Sequence, residues 1–335
     1  MSVAIRHIFR IILLLPLVLS CRLIDEDVSS CDREFALDYQ LRLMTNVTTE
    51  LETELNLEKD AAVATALRTY LKDVFTDRAH DVDLSFYDVA GDSARLHHER
   101  HIMDANQTSY ALRIPVHRYM HVGLANLEDN AMVKLENDGI CHGSRLQQQL
   151  SDTLSPHRKG IFTARMPMDV REGVNQEFKV SLYMVNCAAS LVLDTLGSHV
   201  KDIRVFAGGF ATAFDVADSL YRYQYSPLIR ADKVEVGSEP GTQLCFATVN
   251  FPSRMPQPVK ADEKTTYWEF RVYATLPTGS ITETRISVTR PLGPARFELL
   301  KATVYGNGAL KSEDSTVGVS VSLDWKPGME HEIEL

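Results

Sequence analysis

The densest titratable chemistry in the chain is the run His97-His98-Glu99-Arg100-His101. Imidazoles and a carboxylate are the side chains of zinc sites and of general acid–base catalysis. The run departs from His-Glu-x-x-His by one missing residue between Glu99 and His101, so it lacks the spacing that aims two imidazoles from one helix face at a metal. On a strand, His97, Glu99 and His101 share a face. That geometry admits a metal but is unspecific, and an exposed polar hairpin accounts for it better. No Gly-x-Ser-x-Gly elbow, phosphate-binding loop or Gly-x-Gly-x-x-Gly fingerprint occurs. Gly208-Gly209 has no helix start after it and reads as a turn or bulge. Carboxylates are plentiful, yet no isolated pair is marked for glycoside hydrolysis. The expectation is therefore no enzyme, no catalytic residues, no metal and no cofactor.

Cys21 offers a different chemistry, acylation of a thiol. It follows Arg6, His7 and Arg10, an apolar run from Ile11 to Leu19, and small Ser20. A charged start, a short apolar stretch and a small-residue cleavage site describe a secretory signal peptide. Val18-Leu19-Ser20-Cys21 also resembles a bacterial lipobox, in which the cysteine is acylated and becomes the first mature residue. The apolar run falls short of the ~20 residues that span a bilayer. Attachment would then rest on acyl chains, at roughly 0.8 kcal/mol per buried CH₂. The plainer alternative is a secreted protein with Cys21 near the cut. Beyond it, Asp25-Glu26-Asp27 reads as part of a solvated tether.

Removing residues 1–20 takes away Arg6 and Arg10, leaving 33 basic against 45 acidic side chains, a formal −12 over 315 residues. That length suits two domains. An acidic chain with scattered positive charges argues against nucleic acid and against a polybasic membrane surface. Cys31, Cys141, Cys187 and Cys245 allow three disulfide connectivities that sequence does not resolve. Each also fits a small buried hydrophobe.

The elements that must position these groups are mostly strands. Phe35, Leu37, Tyr39, Leu41 and Leu43 alternate, as do Val82, Leu84 and Phe86 before a turn at Ala90-Gly91-Asp92. Leu112 to Leu124 alternates with a break at Arg118. Period-two alternation is the mark of half-buried antiparallel strands. The exception is 58–77, where Val63, Ala66, Leu67, Tyr70, Leu71, Val74 and Phe75 recur at helical spacing. Asp60 is its candidate cap, and Thr49 with Glu52 offers an earlier capping box. A second short helix is expected over Asn126–Leu135, and a long polar loop over Gly139–Lys159.

The second half continues in strands, from Phe178–Met184 to a closing run of Val317, Val319, Val321, Leu323 and Trp325. Strands punctuated by turn residues read as sandwiches. With Pro167 and the polar Asp169–Gln176 stretch as the divide, the expected domains are 33–165 and 166–335, after a signal (1–20) and a tether (21–32). Tyr221, Tyr223 and Tyr225 form a candidate platform for a glycan or a host protein.

The sequence from Cys21 through the acidic triplet to Val28-Ser29-Ser30-Cys31 resembles the mature start of the fimbrillin-associated anchor lipoproteins of type V (Bacteroidales-type) pili. Asp83 to Asp88 with Gly91, Tyr110 to Val122, and Phe178 through Leu193 into Ile203–Gly209 extend the resemblance. It implies a mainly β fold of two tandem transthyretin-like antiparallel sandwiches, here with an amphipathic helix in the first. It implies lipidation of Cys21, an export signal at Asp25, Glu26 and Asp27, and location at the outer membrane. It further implies fimbrial shaft subunits as partners, joined by strand addition. Val317, Val319, Val321 and Leu323 are the candidate exchange strand, whose plainer reading is an ordinary core strand. The alternative function is a glycan- or host-binding surface lipoprotein.

Overall fold

The computed structural model describes most of residues 34–322, the main exceptions being 103–108, 238–242, 256–264 and all but Glu52 and Leu55 of 45–59. Cys21, Asp25, Glu26, Asp27, Cys31, Thr49, Tyr225 and Leu323 lie outside the described residues.

The fold is mainly β, built as sandwiches, with a helix in the first. A seven-stranded sheet runs, by position, Arg95–Ile102, Asp81–Asp88, Arg118–Ala125, Phe162–Asp169, Glu177–Met184, Glu34–Met44 and Ser109–Pro115. Phe162–Asp169 and Glu177–Met184 pair at only two positions, Thr163 with Tyr183 and Phe162 with Met184. The sheet bends where they part and folds one half over the other. Leu37, Tyr39, Leu84, Phe86, Leu112, Ile114 and Leu182 then meet in one core. The alternation of Leu37, Tyr39, Leu41 and Leu43 is reproduced, with exposed residues between them.

Helix Ala61–Leu71 forms where the helical period placed it. Asp60 Oδ1 accepts from the Ala62 and Val63 amides at 2.8 and 3.3 Å, a cap worth about 1 kcal/mol. Val63, Ala64, Leu67 and Leu71 are buried. Glu52 grips Arg68 through two oxygens at 2.9 Å each.

Three expectations need correction. The divide at 165/166 cuts through Phe162–Asp169, and Glu177–Met184 also belongs to the first sheet. The chain leaves that sheet only after Met184, because the polar stretch is a turn between two strands and not a linker, and Pro167 lies within the first of those strands, opposite Met120. Asn126–Leu135 is not helical. Asn126 sits at φ 63° and spends its amide on His80 N and Gly160 O. Asn130 likewise binds the Asn126 carbonyl and the Arg158 amide. Side chains that bond nearby backbone compete with a helix. The stretch 139–159 is no simple loop either, since it contributes strands Arg145–Gln148 and Thr153–Leu154. Its glutamines hid the first of these.

The second sandwich has a five-stranded sheet containing Cys187–Asp194, Gln243–Asn250 and Phe297–Val304, and a six-stranded sheet containing Asp202–Gly208, Trp268–Thr275, Ile281–Val288 and Val317–Ser322. Every residue of Cys187–Leu193 is buried. Ala189, Leu191 and Leu193 enter the core of this sandwich. Ala188 and Val192 join the first core, with the helix. The five-stranded sheet is thus covered on both faces, and Tyr70 on the helix donates to Asp232 at 2.8 Å.

A four-stranded sheet of Leu220–Arg222, Ala213–Asp215, Arg145–Gln148 and Val133–Glu136 mixes residues from both halves. Beside it lies a buried joint. Asn186 Oδ1 accepts from Ile161 N at 2.5 Å, which turns its amide nitrogen toward His157 Nδ1 at 2.6 Å. His157 therefore carries its proton on Nε2, 2.7 Å from the Gln148 side-chain amide. Turned to present its oxygen there, Gln148 accepts that proton, and its otherwise unpaired buried Oε1 is satisfied.

Candidate functional site

Val317–Ser322 is an edge strand of the six-stranded sheet. It pairs antiparallel with Ile281–Val288, from Val317 opposite Val288 to Ser322 opposite Glu283. Arg290 holds the approach to it, bridging Asp314 at 2.9 Å and Glu298. Val317, Val319 and Val321 lie in the phase that faces the sandwich interior, opposite the buried Val288, Ile286 and Thr284. Only Val317 is covered, at 9% exposure; Val319 and Val321 stand at 39% and 42%. The strand thus overhangs the facing sheet. It offers an outer backbone edge and two apolar side chains, the ingredients of strand addition. This is neither the fully covered core strand of the plain reading nor a free end.

The tyrosine platform is not formed as expected. Tyr221 donates to Val185 O at 3.0 Å and Tyr223 to Ser253 O at 2.8 Å. Both rings are half-buried against the core around Phe214 and Phe251. Burial drives the Tyr221 phenol far above its ordinary pKa and the Tyr223 phenol up to about 12. The alternation of aromatic and polar residues marked one face correctly, but that face looks inward.

His97, Glu99 and His101 do share a face, on the edge strand Arg95–Ile102. Each imidazole Nε2 lies 2.8 Å from a different oxygen of Glu99. The carboxylate therefore separates the two rings, and a tetrahedral set does not converge on one point. Among the described residues no group of three His, Cys, Asp or Glu is disposed to hold a metal ion.

Cys141 and Cys187 are free and buried, and Cys245 is buried as well. Burial raises the Cys187 thiol pKa strongly, so it stays protonated and inert. Gly209 has φ +90°, and a Cβ there would meet Tyr267 O at 2.7 Å. The glycine pair is thus a tight backbone approach beside Trp268. Among the described residues no helix is long and apolar enough to cross a membrane.

Sequence reading passed over the outward face of the six-stranded sheet. Arg204, Arg271 and Arg285 occupy the polar positions of ordinary alternating strands, and nothing in that pattern reveals that the strands set them side by side.

No protein-family model and no curated protein sequence matches the chain. Solved structures do resemble it. A candidate adhesin from Bacteroides ovatus has a TM-score of 0.52 at 14% identity, over 90% of this chain and 100% of that one. A second from the same species has 0.51 at 11%, over 82% and 91%. A candidate polysaccharide-binding protein from Bacteroides thetaiotaomicron has 0.50 at 10%, over 84% and 97%. At these identities the likeness is one of fold, and the fold this chain shares is that of adhesin-like β proteins.

Proposed function

We propose that this chain is a lipid-anchored surface protein that holds a fimbria at the outer membrane, joined to shaft subunits by β-strand addition. The observation that carries the reading is the overhanging edge strand with exposed Val319 and Val321. A sheet edge gives tight association through backbone hydrogen bonds without needing a pocket. Cys21 supplies the tether through its acyl chains, and Asp25, Glu26 and Asp27 direct the protein to the outer face. The adhesin descriptions of the two Bacteroides ovatus proteins favour a role in surface adhesion. In this role the chain is not an enzyme.

Click labelling of cells fed an alkynyl palmitate, followed by fractionation, tests the tether. The account expects label on the wild-type protein in the outer membrane, loss of label in Cys21→Ser, and fimbriae shed into the medium by that variant. Fimbriae retained at wild-type level by an unlabelled Cys21→Ser protein contradict it.

A further inference from the structure

Among the described sheet edges, all but one carry a guard against stray pairing. Arg95–Ile102 is studded with charge, and Ser109–Pro115 holds Arg113 and Pro115. Asp232–Val234, Leu310–Ser312, Leu220–Arg222 and Val133–Glu136 each carry a charged residue. Thr153–Leu154 is only two residues long. Charge, proline and shortness keep an exposed strand from pairing with other chains. The exception is Val317–Ser322. Its six residues, Val-Gly-Val-Ser-Val-Ser, hold no charge and no proline, and all after Val317 are exposed. An uncharged, β-prone stretch on an open edge is an aggregation hazard. Such an edge calls for a cover.

The chain offers one immediately beyond it. Residues 323–335 lie outside the described residues, and their sequence has the pattern of a returning hairpin arm. Leu323 and Trp325 continue the phase of Val317, Val319 and Val321. Pro327-Gly328 then marks a turn. After it, Met329, His331, Ile333 and Leu335 alternate with Glu330, Glu332 and Glu334. That is the period of a strand with one largely apolar face and one charged face.

Matching the faces fixes the register. A loop over Trp325–Met329, built around the Pro-Gly turn, sets Leu323 opposite His331, Val321 opposite Ile333 and Val319 opposite Leu335. The two exposed valines then gain apolar cross-strand partners. On the other face, Glu332 and Glu334 fall beside Ser322 and Ser320, and with Glu330 they give the new edge the charge that Val317–Ser322 lacks. A slip of one residue sets a glutamate against Val321 and loses the match. The one like-charge pair, Asp324 with Glu330, sits at the mouth of the loop, where salt screens it.

We propose that residues 330–335 fold back antiparallel on Val317–Ser322 as a further strand of this sheet, a resident cap on its open edge. The docking itself does not depend on the fimbrial role. Its consequence for assembly rests on that reading: the cap gates the edge, and an incoming subunit strand takes its place.

The test uses the purified protein in detergent, apart from any fimbria. Under copper-phenanthroline oxidation, Val321→Cys with Ile333→Cys is expected to close an intramolecular disulfide, located by peptide mass mapping. Val321→Cys with Glu332→Cys, whose side chains face opposite ways, should close at least about tenfold more slowly. In a variant ending at Lys326, amide exchange across Gly318–Ser322 should quicken at least about tenfold. Equal closure of the two cysteine pairs, a disulfide that joins two copies, or exchange indifferent to the truncation overturns the proposal. Any of these leaves the fimbrial reading standing, because that reading is tested on cells.

Discussion

Tyr39 donates its phenolic proton to His121 Nε2 at 2.6 Å across the core of the first sandwich, although two strands lie between theirs in the sheet order Arg118–Ala125, Phe162–Asp169, Glu177–Met184, Glu34–Met44. The contact closes the folded sheet on itself. His121 Nδ1 lies 3.1 Å from Ser85 O and donates to it, so Nε2 is the acceptor. Phe86 stacks on the same imidazole at 4.5 Å. Tyr39→Phe leaves a fully buried acceptor unpaired and is expected to cost about 1–3 kcal/mol, read from the urea midpoint. An unchanged midpoint would mean that the two halves are held without this bond.

Acid should weaken the protein through its two buried imidazoles. Burial pushes His121 down to about 4 and His157 down to about 3, while an unfolded chain titrates near 6.5. The folded state excludes protons that the unfolded state accepts. The stabilisation is complete above pH ~6.5 and is lost as pH falls toward those folded values, on the order of 3 kcal/mol for each histidine over its whole window. Urea midpoints at pH 7.5, 6 and 5 should decline progressively below ~6.5. A flat profile across that range contradicts the account.

Gly160 admits no side chain. A Cβ there would stand 2.3 Å from Met184 Cε and 2.4 Å from Val74 O, and the backbone oxygen has little freedom to yield. Its carbonyl also accepts from Asn126 at 3.1 Å. Gly160→Ala should destabilise by several kcal/mol, roughly the upper range for a single substitution. Gly237→Ala, where a Cβ meets nothing within 4 Å, serves as the control.

The thiols Cys141, Cys187 and Cys245 should resist iodoacetamide in the native protein and react once guanidinium unfolds it. Peptide mass mapping separates them from Cys31. Native alkylation of Cys187, which is fully buried, would contradict the packing described for its strand.

Much of the architecture was written in the sequence. Leu37 to Leu43 and the closing valines showed the strand period, and Asp60 followed by Val63, Leu67 and Leu71 marked a helix with its cap. Local patterns do not state which sheet a strand joins. Glu177–Met184 looks like the opening strand of a second domain, yet it pairs in parallel with Glu34–Met44, strands far apart in sequence. Asn126 and Asn130 broke an apparent helix through bonds to residues such as Gly160 and Lys159 that no local window contains. At the candidate sites, period two located the exposed valines, but it did not say that Tyr221 and Tyr223 point inward. Nor did it set Arg271 against Arg285, because that neighbourhood is a property of register.

The central claim is that the edge strand Val317–Ser322 receives fimbrial subunits. Its most direct test places a photocrosslinking amino acid at Val321, where the side chain is accessible, and irradiates intact fimbriated cells. The account predicts a ladder of covalent adducts with fimbrial β-sandwich subunits, absent when the crosslinker sits instead at exposed Leu96, on a strand of the first sheet. Adducts equal at both positions, or none with fimbrial subunits at Val321 in cells that still carry fimbriae, would contradict it.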